Sequence, residues 1–205
     1  MEIAKQVCAV VDMQGFFIDK VFYPREFAIV NNEMKLCFEI DCEIQNDLKF
    51  KSFRHFSFQQ NQIHGIPVEK VLNERTSRVF KISELQTLVY EIYCRFRTED
   101  KSYVAIKNQQ LAKLLDEYGI PYLNLERKNI GNEICPPLHL FDKFFGYNNY
   151  FCLLHFMLSK HIFNKDIRCS LRKSLNIWNW LNQKVISDSL AADINVSSLS
   201  VREDE

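Results

Sequence analysis

Hydrophobic and polar positions follow two rhythms along this chain. Lys5 to Val11 is an almost continuous β-branched and apolar run, the pattern of a buried strand. "FAIVNN" and "MKLCFEID" repeat the strand pattern, and Asn31-Asn32-Glu33 between them predicts a tight antiparallel hairpin. "LKFKSFRHFSF", Leu48 to Phe58, extends this as a further edge strand, and "NQIHGIPVEK" reads as a loop broken by Gly65 and Pro67.

Helical spacing begins at Ser83, where Ser83-Glu84-Leu85-Gln86 has the form of a capping box. Leu85, Leu88, Val89, Ile92, Tyr93 and Phe96 then make one apolar stripe. "SYVAIK" predicts a short strand and "NQQLAKLLDEYG" a second helix, capped by Asn108 and stopped by Gly119. "IPYLNLE" predicts another strand, and strand, helix and strand this close together imply a parallel right-handed crossover. After "CPP" at Cys135 the pattern is helical and irregular to Lys184. Its last helix places Leu171, Leu175, Trp178 and Leu181 on one face. Residues 185–205 carry no aromatic residue and end in acids, so the expected organisation is one domain over 1–184 followed by a disordered acidic tail.

Composition narrows the picture. A chain of 205 residues with 47% apolar content is long enough to bury its own core. Lys+Arg and Asp+Glu both number 26, so the net charge of zero argues against a generic polyanion binder but leaves room for a local basic patch. The 17 phenylalanines point first to a large aromatic core. Seven scattered cysteines, with a start at Met1 to Val11 too short and too charged for a secretory leader, imply reduced thiols and an intracellular setting. No apolar run approaches the roughly 18–20 residues of a membrane span, so no membrane partner is expected.

Four local motifs carry a resemblance, one of them "YVAIKNQQLAKLLDEYGIP", which sits where a middle motif belongs. "VVDMQGFF" followed by "PREFAIV" looks like a first-strand acid motif and its second strand; "IHGIPVE" resembles the loop before the first helix; "RCSLRKSLNIWNWL" sits at a last helical motif. With the element order, these make residues 5–183 similar to the DEDDh (DnaQ-like) 3′–5′ exonuclease superfamily, and more closely to the Maelstrom domain and related invertebrate proteins with degenerate cores. The resemblance implies an α/β, ribonuclease H-like mixed sheet: three antiparallel strands, then parallel ones, flanked by helices.

That chemistry needs four carboxylates around two divalent ions, with a His as general base. Asp12 is in place, but Gln14 stands where the second acid belongs. The middle acid falls near Leu111, inside an apolar stripe, while Asp116 and Glu117 point away from that stripe. Arg168 and Lys173 stand where the last His and Asp belong, and a cation there repels an ion. His161 and Asp166 repeat the His-x4-Asp spacing one or two turns earlier, an alternative register. The expectation is a catalytically inactive exonuclease-fold protein with no catalytic metal, in which Asp12 is either a relict ligand or a residue capping a strand-end turn.

Cys135, His139, Cys152, His155, His161 and Cys169 form a second constellation. Cys152 and His155 have a spacing that can meet one zinc. The Maelstrom resemblance implies a structural zinc on Cys152, His155 and Cys169, with the fourth ligand open among Glu126, Cys135 and His161. An apolar core helix, with Cys152 and His155 packed in it, is the competing reading.

Lys160, Lys165, Arg168, Arg172 and Lys173 face Asp166 alone across residues 154–173, a cationic segment suited to phosphates or, equally, a solvated helix face. Lys49, Lys51 and Arg54 among Phe50, Phe53, Phe56 and Phe58 mix cations with aromatics as single-strand binders do. Edge-strand lysines that block aggregation give the same pattern. His64 belongs to the resembling loop and suits a structural or a functional role. The function expected is an RNA- or protein-binding component, in RNA silencing or processing. Its alternatives are a 3′–5′ exonuclease with a variant metal site and a purely structural interaction domain. The partners expected are a protein, single-stranded RNA, or both.

Overall fold

A computed structural model of the chain describes residues 2–69, 79–126, 129–130, 133–137, 140 and 169–200. A short helix α1 (Glu2–Lys5) leads into strands β1 (Val7–Ile18), β2 (Val21–Val30) and β3 (Lys35–Asp41). Helices α2 (Asn46–Lys51) and α3 (Phe53–Gln59) follow, then a wide helical turn over Gln60–His64. Next come β4 (Val79–Lys81), a 3-10 turn, α4 (Leu85–Phe96), β5 (Tyr103–Ile106), α5 (Gln109–Glu117) and β6 (Tyr122–Asn124). Two short strands, β7 (Asn129–Ile130) and β8 (Glu133–Ile134), pair with each other, and α6 (Ser170–Ser200) closes the described chain.

The main sheet has six strands in the order β4-β3-β2-β1-β5-β6. β1, β2 and β3 run antiparallel; β5 runs parallel to β1, β6 to β5 and β4 to β3. The molecule is therefore an α/β protein on a mixed sheet. Its two faces are dressed differently because strand side chains alternate. Val11, Met13, Phe27, Ile29, Phe38 and Ile40 meet Leu85, Val89 and Ile92 of α4 and Leu111, Ala112 and Leu115 of α5. On the opposite face Val10, Ala28, Val30 and Cys37 meet Leu171, Leu175, Trp178 and Leu181 of α6. The smaller residues on that second face leave room for the two tryptophans of α6, both buried.

Several expectations are met. Asn31 forms the β2–β3 turn, its Oδ1 accepting the N–H groups of Glu33 and Met34 at 2.9 and 2.7 Å. Asn108 Oδ1 caps α5 by accepting from Gln110 and Leu111, and Gly119 ends that helix at φ +66°. Others need correction. Leu48 to Phe58 is helical, because Phe56 alone of its aromatics turns in, against Phe16, which is a helix pattern and not a strand's alternation. Ser83 does not cap α4; Lys81 N–H donates to Glu84 Oε2 at 2.9 Å and a 3-10 turn leads into Leu85. Nor does Asp12 end a strand, since β1 continues to Ile18 and turns through Asp19 and Lys20, both at positive φ. Separately from these corrections, the backbone of α6 is helical from Ser170 to Ser200, and residues 201–205 lie outside the described residues.

Candidate functional site

Asp12 lies in the middle of β1, fully buried, on the face covered by α6. Lys173, in the first turn of α6, places Nζ 2.7 Å from Asp12 Oδ1, with its own side chain 9% exposed. Gln14 Nε2 donates to Asp12 Oδ2 at 3.2 Å. Two residues singled out at separate ends of the chain, Asp12 and Lys173, thus meet. Burial pushes the Asp12 carboxyl above its ordinary value, and the Lys173 ammonium and Gln14 amide draw it back down.

Glu26 on β2 sits opposite Gln14 and, on its other side, opposite Glu39 of β3; both acids are buried. Like charges facing each other across strands need separate counterparts. Glu39 finds Arg25, whose Nη2 is 2.9 Å from Oε1. Arg25 is the extra residue of a bulge, since Gln14 pairs with Glu26 while Gly15 pairs with Pro24. Gly15 makes the bulge possible: a Cβ there would fall 2.1 Å from the Tyr23 carbonyl oxygen. Glu26 Oε2 accepts the Ser170 N–H at 3.0 Å, so it caps α6 where the helix dipole is positive. The Cys37 thiol donates to Glu26 Oε1 at 3.1 Å, and Cys169 Sγ lies 3.7 Å from the same oxygen.

The parallel side of β1 is tied down in a comparable way. Asn108 Nδ2 donates to the Met13 carbonyl at 2.9 Å, tying α5 to the strand that carries Asp12. Lys107 Nζ donates to the carbonyls of Cys135, at 2.9 Å, and Pro136. Burial pushes the Cys135 thiol up to about 11, against the pull of Lys107 and Lys173. Leu111, where the exonuclease resemblance expects a middle acid, is fully buried in the core, while Asp116 and Glu117 are exposed. His64 is buried edge-on to Phe16, its Nδ1 accepting the Ile66 N–H at 3.1 Å; Gly65 follows at φ +68°.

Of the cationic segment, Arg172 is half-buried, and Lys173 is turned inward onto Asp12. Lys160, Lys165 and Arg168 lie outside the described residues, as do His139, His161 and Asp166, and Cys152 and His155 of the expected zinc set. Cys169 is described. Of the three fourth-ligand candidates, Glu126 is exposed, Cys135 is beside Lys107, and His161 is not described. The acid that meets Cys169 is Glu26, which motif spacing gave no reason to pair with it. Zinc takes sulfur at about 2.3 Å and oxygen at about 2.0 Å, so two such ligands on one tetrahedral ion sit roughly 3.5 Å apart. The Glu26–Cys169 separation suits that donor pair. Among the described residues no group of three or more His, Cys, Asp or Glu forms a ligand set. Among the described residues, no helix is long and apolar enough to cross a membrane.

No family model matches the chain, and neither a curated protein nor a solved structure matches it.

Proposed function

We propose that this chain is a catalytically inactive exonuclease-fold protein that serves as an RNA- or protein-binding component. The strand order, with three antiparallel strands followed by two parallel ones across α4 and α5, supports the ribonuclease H-like reading. The observation that carries the loss of catalysis is the buried ion pair between Asp12 and Lys173. A divalent ion bound at Asp12 would have to displace an ammonium that already neutralises the carboxylate. Gln14 offers no second charge, and Leu111 offers no oxygen. The ion pair does for the sheet what metals do in a living nuclease: it neutralises a buried acid. It does so without binding water or a leaving oxygen.

The test is incubation of end-labelled single-stranded RNA and DNA with the purified chain in Mg²⁺ and in Mn²⁺. Full-length substrate at the end of the incubation is the expected result. Shortening from the 3′ end that disappears in Asp12→Ala would overturn the reading and restore a variant nuclease. A companion measurement uses Lys173→Asp, which sets two carboxylates face to face: Mn²⁺ should raise the unfolding temperature of that variant and leave the wild type unmoved.

The same reading includes the structural zinc expected on Cys169 with Cys152 and His155, the last two outside the described residues; we add Glu26, beside Cys169, to Glu126, Cys135 and His161 as a candidate fourth ligand. The contact of Cys169 with a buried carboxylate at the start of α6 supports it. Zinc there would join β2 to the last helix, and its removal would loosen the α6 face rather than change any chemistry. Metal content by mass spectrometry should give one equivalent in the wild type and none in Cys169→Ser.

A further inference from the structure

A second surface lies apart from Asp12, on α2 and α3. Phe50 is 87% exposed, Phe53 69% and Phe58 59%, whereas Phe56 between them is buried. Solvent exposure of three phenyl rings on thirteen helical residues is unusual for a molecule that buries most of its large apolar side chains. None of the three rings packs on another ring among the described residues.

The cations are placed in step with the rings. Lys51 follows Phe50 and Arg54 follows Phe53, so an aromatic–cation pair repeats after three residues. Both cations are exposed, and neither has an ion-pair partner among the described residues, unlike Lys49, which is 2.8 Å from Glu69. Ser52 N–H bonds the Leu48 carbonyl and Phe56 N–H the Ser52 carbonyl, while Ser52 itself, at φ −106° and ψ 18°, is non-helical, so α2 and α3 are joined through a one-residue break. Phe50 and Lys51 end α2 and Phe53 and Arg54 begin α3, so the two aromatic–cation pairs flank that break. Gln59 fixes the platform to the sheet by bonding both the N–H and the carbonyl of Phe17.

We infer that α2 and α3 form a stacking platform for single-stranded nucleic acid, with Phe50 and Phe53 taking successive bases and Lys51 and Arg54 the phosphates beside them. This inference rests on the nucleic-acid branch of the reading above and gives it a surface. Rings that stack on any base, each with an adjacent cation, are what sequence-tolerant single-strand binding uses. An anionic membrane surface is the poorer fit, because basic membrane patches gather roughly 4–8 Lys or Arg and this one offers two. A protein partner is poorer too, since the cores of such interfaces exclude lysine.

The experiment is fluorescence anisotropy of labelled oligouridine and oligothymidine of roughly twelve nucleotides, titrated with the full chain. The variants are Phe50→Ala/Phe53→Ala and Lys51→Ala/Arg54→Ala, all at exposed positions, with circular dichroism to show that each is folded. The ring variant should bind at least about tenfold more weakly, since each stacked base contributes on that order. The cation variant should lower the log–log salt slope by about 1.4, the value for two phosphates on a single strand. Wild-type binding unchanged in both variants would overturn the platform while leaving nucleic-acid binding elsewhere on the protein intact. No wild-type binding to either strand would remove both. Anisotropy silent, but phosphatidylserine vesicles or self-association lost in the ring variant, would also overturn the inference and assign the surface to a membrane or a second copy.

Discussion

Glu26 on β2 accepts the backbone N–H of Ser170 at 3.0 Å, and this contact fixes where α6 begins. One turn later the same helix delivers Lys173 to Asp12. A buried acid that no spacing rule singled out thus sets the register of the Asp12–Lys173 ion pair.

Removing that cap should be costly. Glu26→Ala leaves the Ser170 N–H without its acceptor and removes a favourable charge from the helix start, so urea unfolding should show a loss of about 2–3 kcal/mol. Glu26→Gln keeps an acceptor for Ser170 and should lose less. Equal losses in the two variants would mean that the cap is not what the acid supplies.

The Asp12–Lys173 pair makes a double-mutant prediction. Lys173→Met should destabilise by about 3–5 kcal/mol, because it strands a buried carboxylate. Asp12→Asn/Lys173→Met should recover most of that loss and match or exceed the wild type at neutral pH. The pH dependence has a definite sign. Burial raises the native Asp12 pKa, so the folded protein holds this proton more tightly than the unfolded chain. The contribution of Asp12 to stability is complete below the ordinary aspartate value of about 3.9, and it is lost as pH rises through the higher native value. The double variant should therefore gain on the wild type between acidic and neutral pH. Denaturant midpoints at several pH values would show it.

Two glycines should respond differently to alanine. At Gly15 the new methyl would collide with the Tyr23 carbonyl oxygen and Pro24 Cα, both backbone atoms, so β1 and β2 must part. Gly15→Ala should cost about 2–3 kcal/mol or more, as overpacking does. At Gly119 nothing lies within 4 Å of an added Cβ, and only the φ of +66° opposes it. Gly119→Ala should cost about 1 kcal/mol. Thermal unfolding ranks the two directly.

The buried thiols should be unreactive. Burial pushes Cys8 up to about 11, and Cys135 likewise. At pH 8 only about one part in a thousand of each is thiolate, so iodoacetamide should label them slowly in the native protein and at once in guanidinium. Peptide mass spectrometry reads both rates.

The amino-acid pattern alone determined the elements whose periodicity is long or whose turns have a chemical marker. The stripe from Leu85 to Phe96, the Asn108 cap, the Asn31 turn and the apolar face of α6 all follow from side-chain spacing, because one face of each element must be buried wherever it packs. The β1–β2 hairpin was not legible, since Asp19 and Lys20 take positive φ without a glycine to announce it. Between Leu48 and Phe58 the exposed phenylalanines mimic a strand's alternation; only the docking of Phe56 and Gln59 on the end of β1 selects helices. At the site, side-chain spacing singles out Asp12 and Lys173 but does not place one against the other. That pairing depends on which sheet face α6 covers and where Glu26 starts the helix. Both are decided by long-range packing and by the cost of leaving a buried charge without a counterpart.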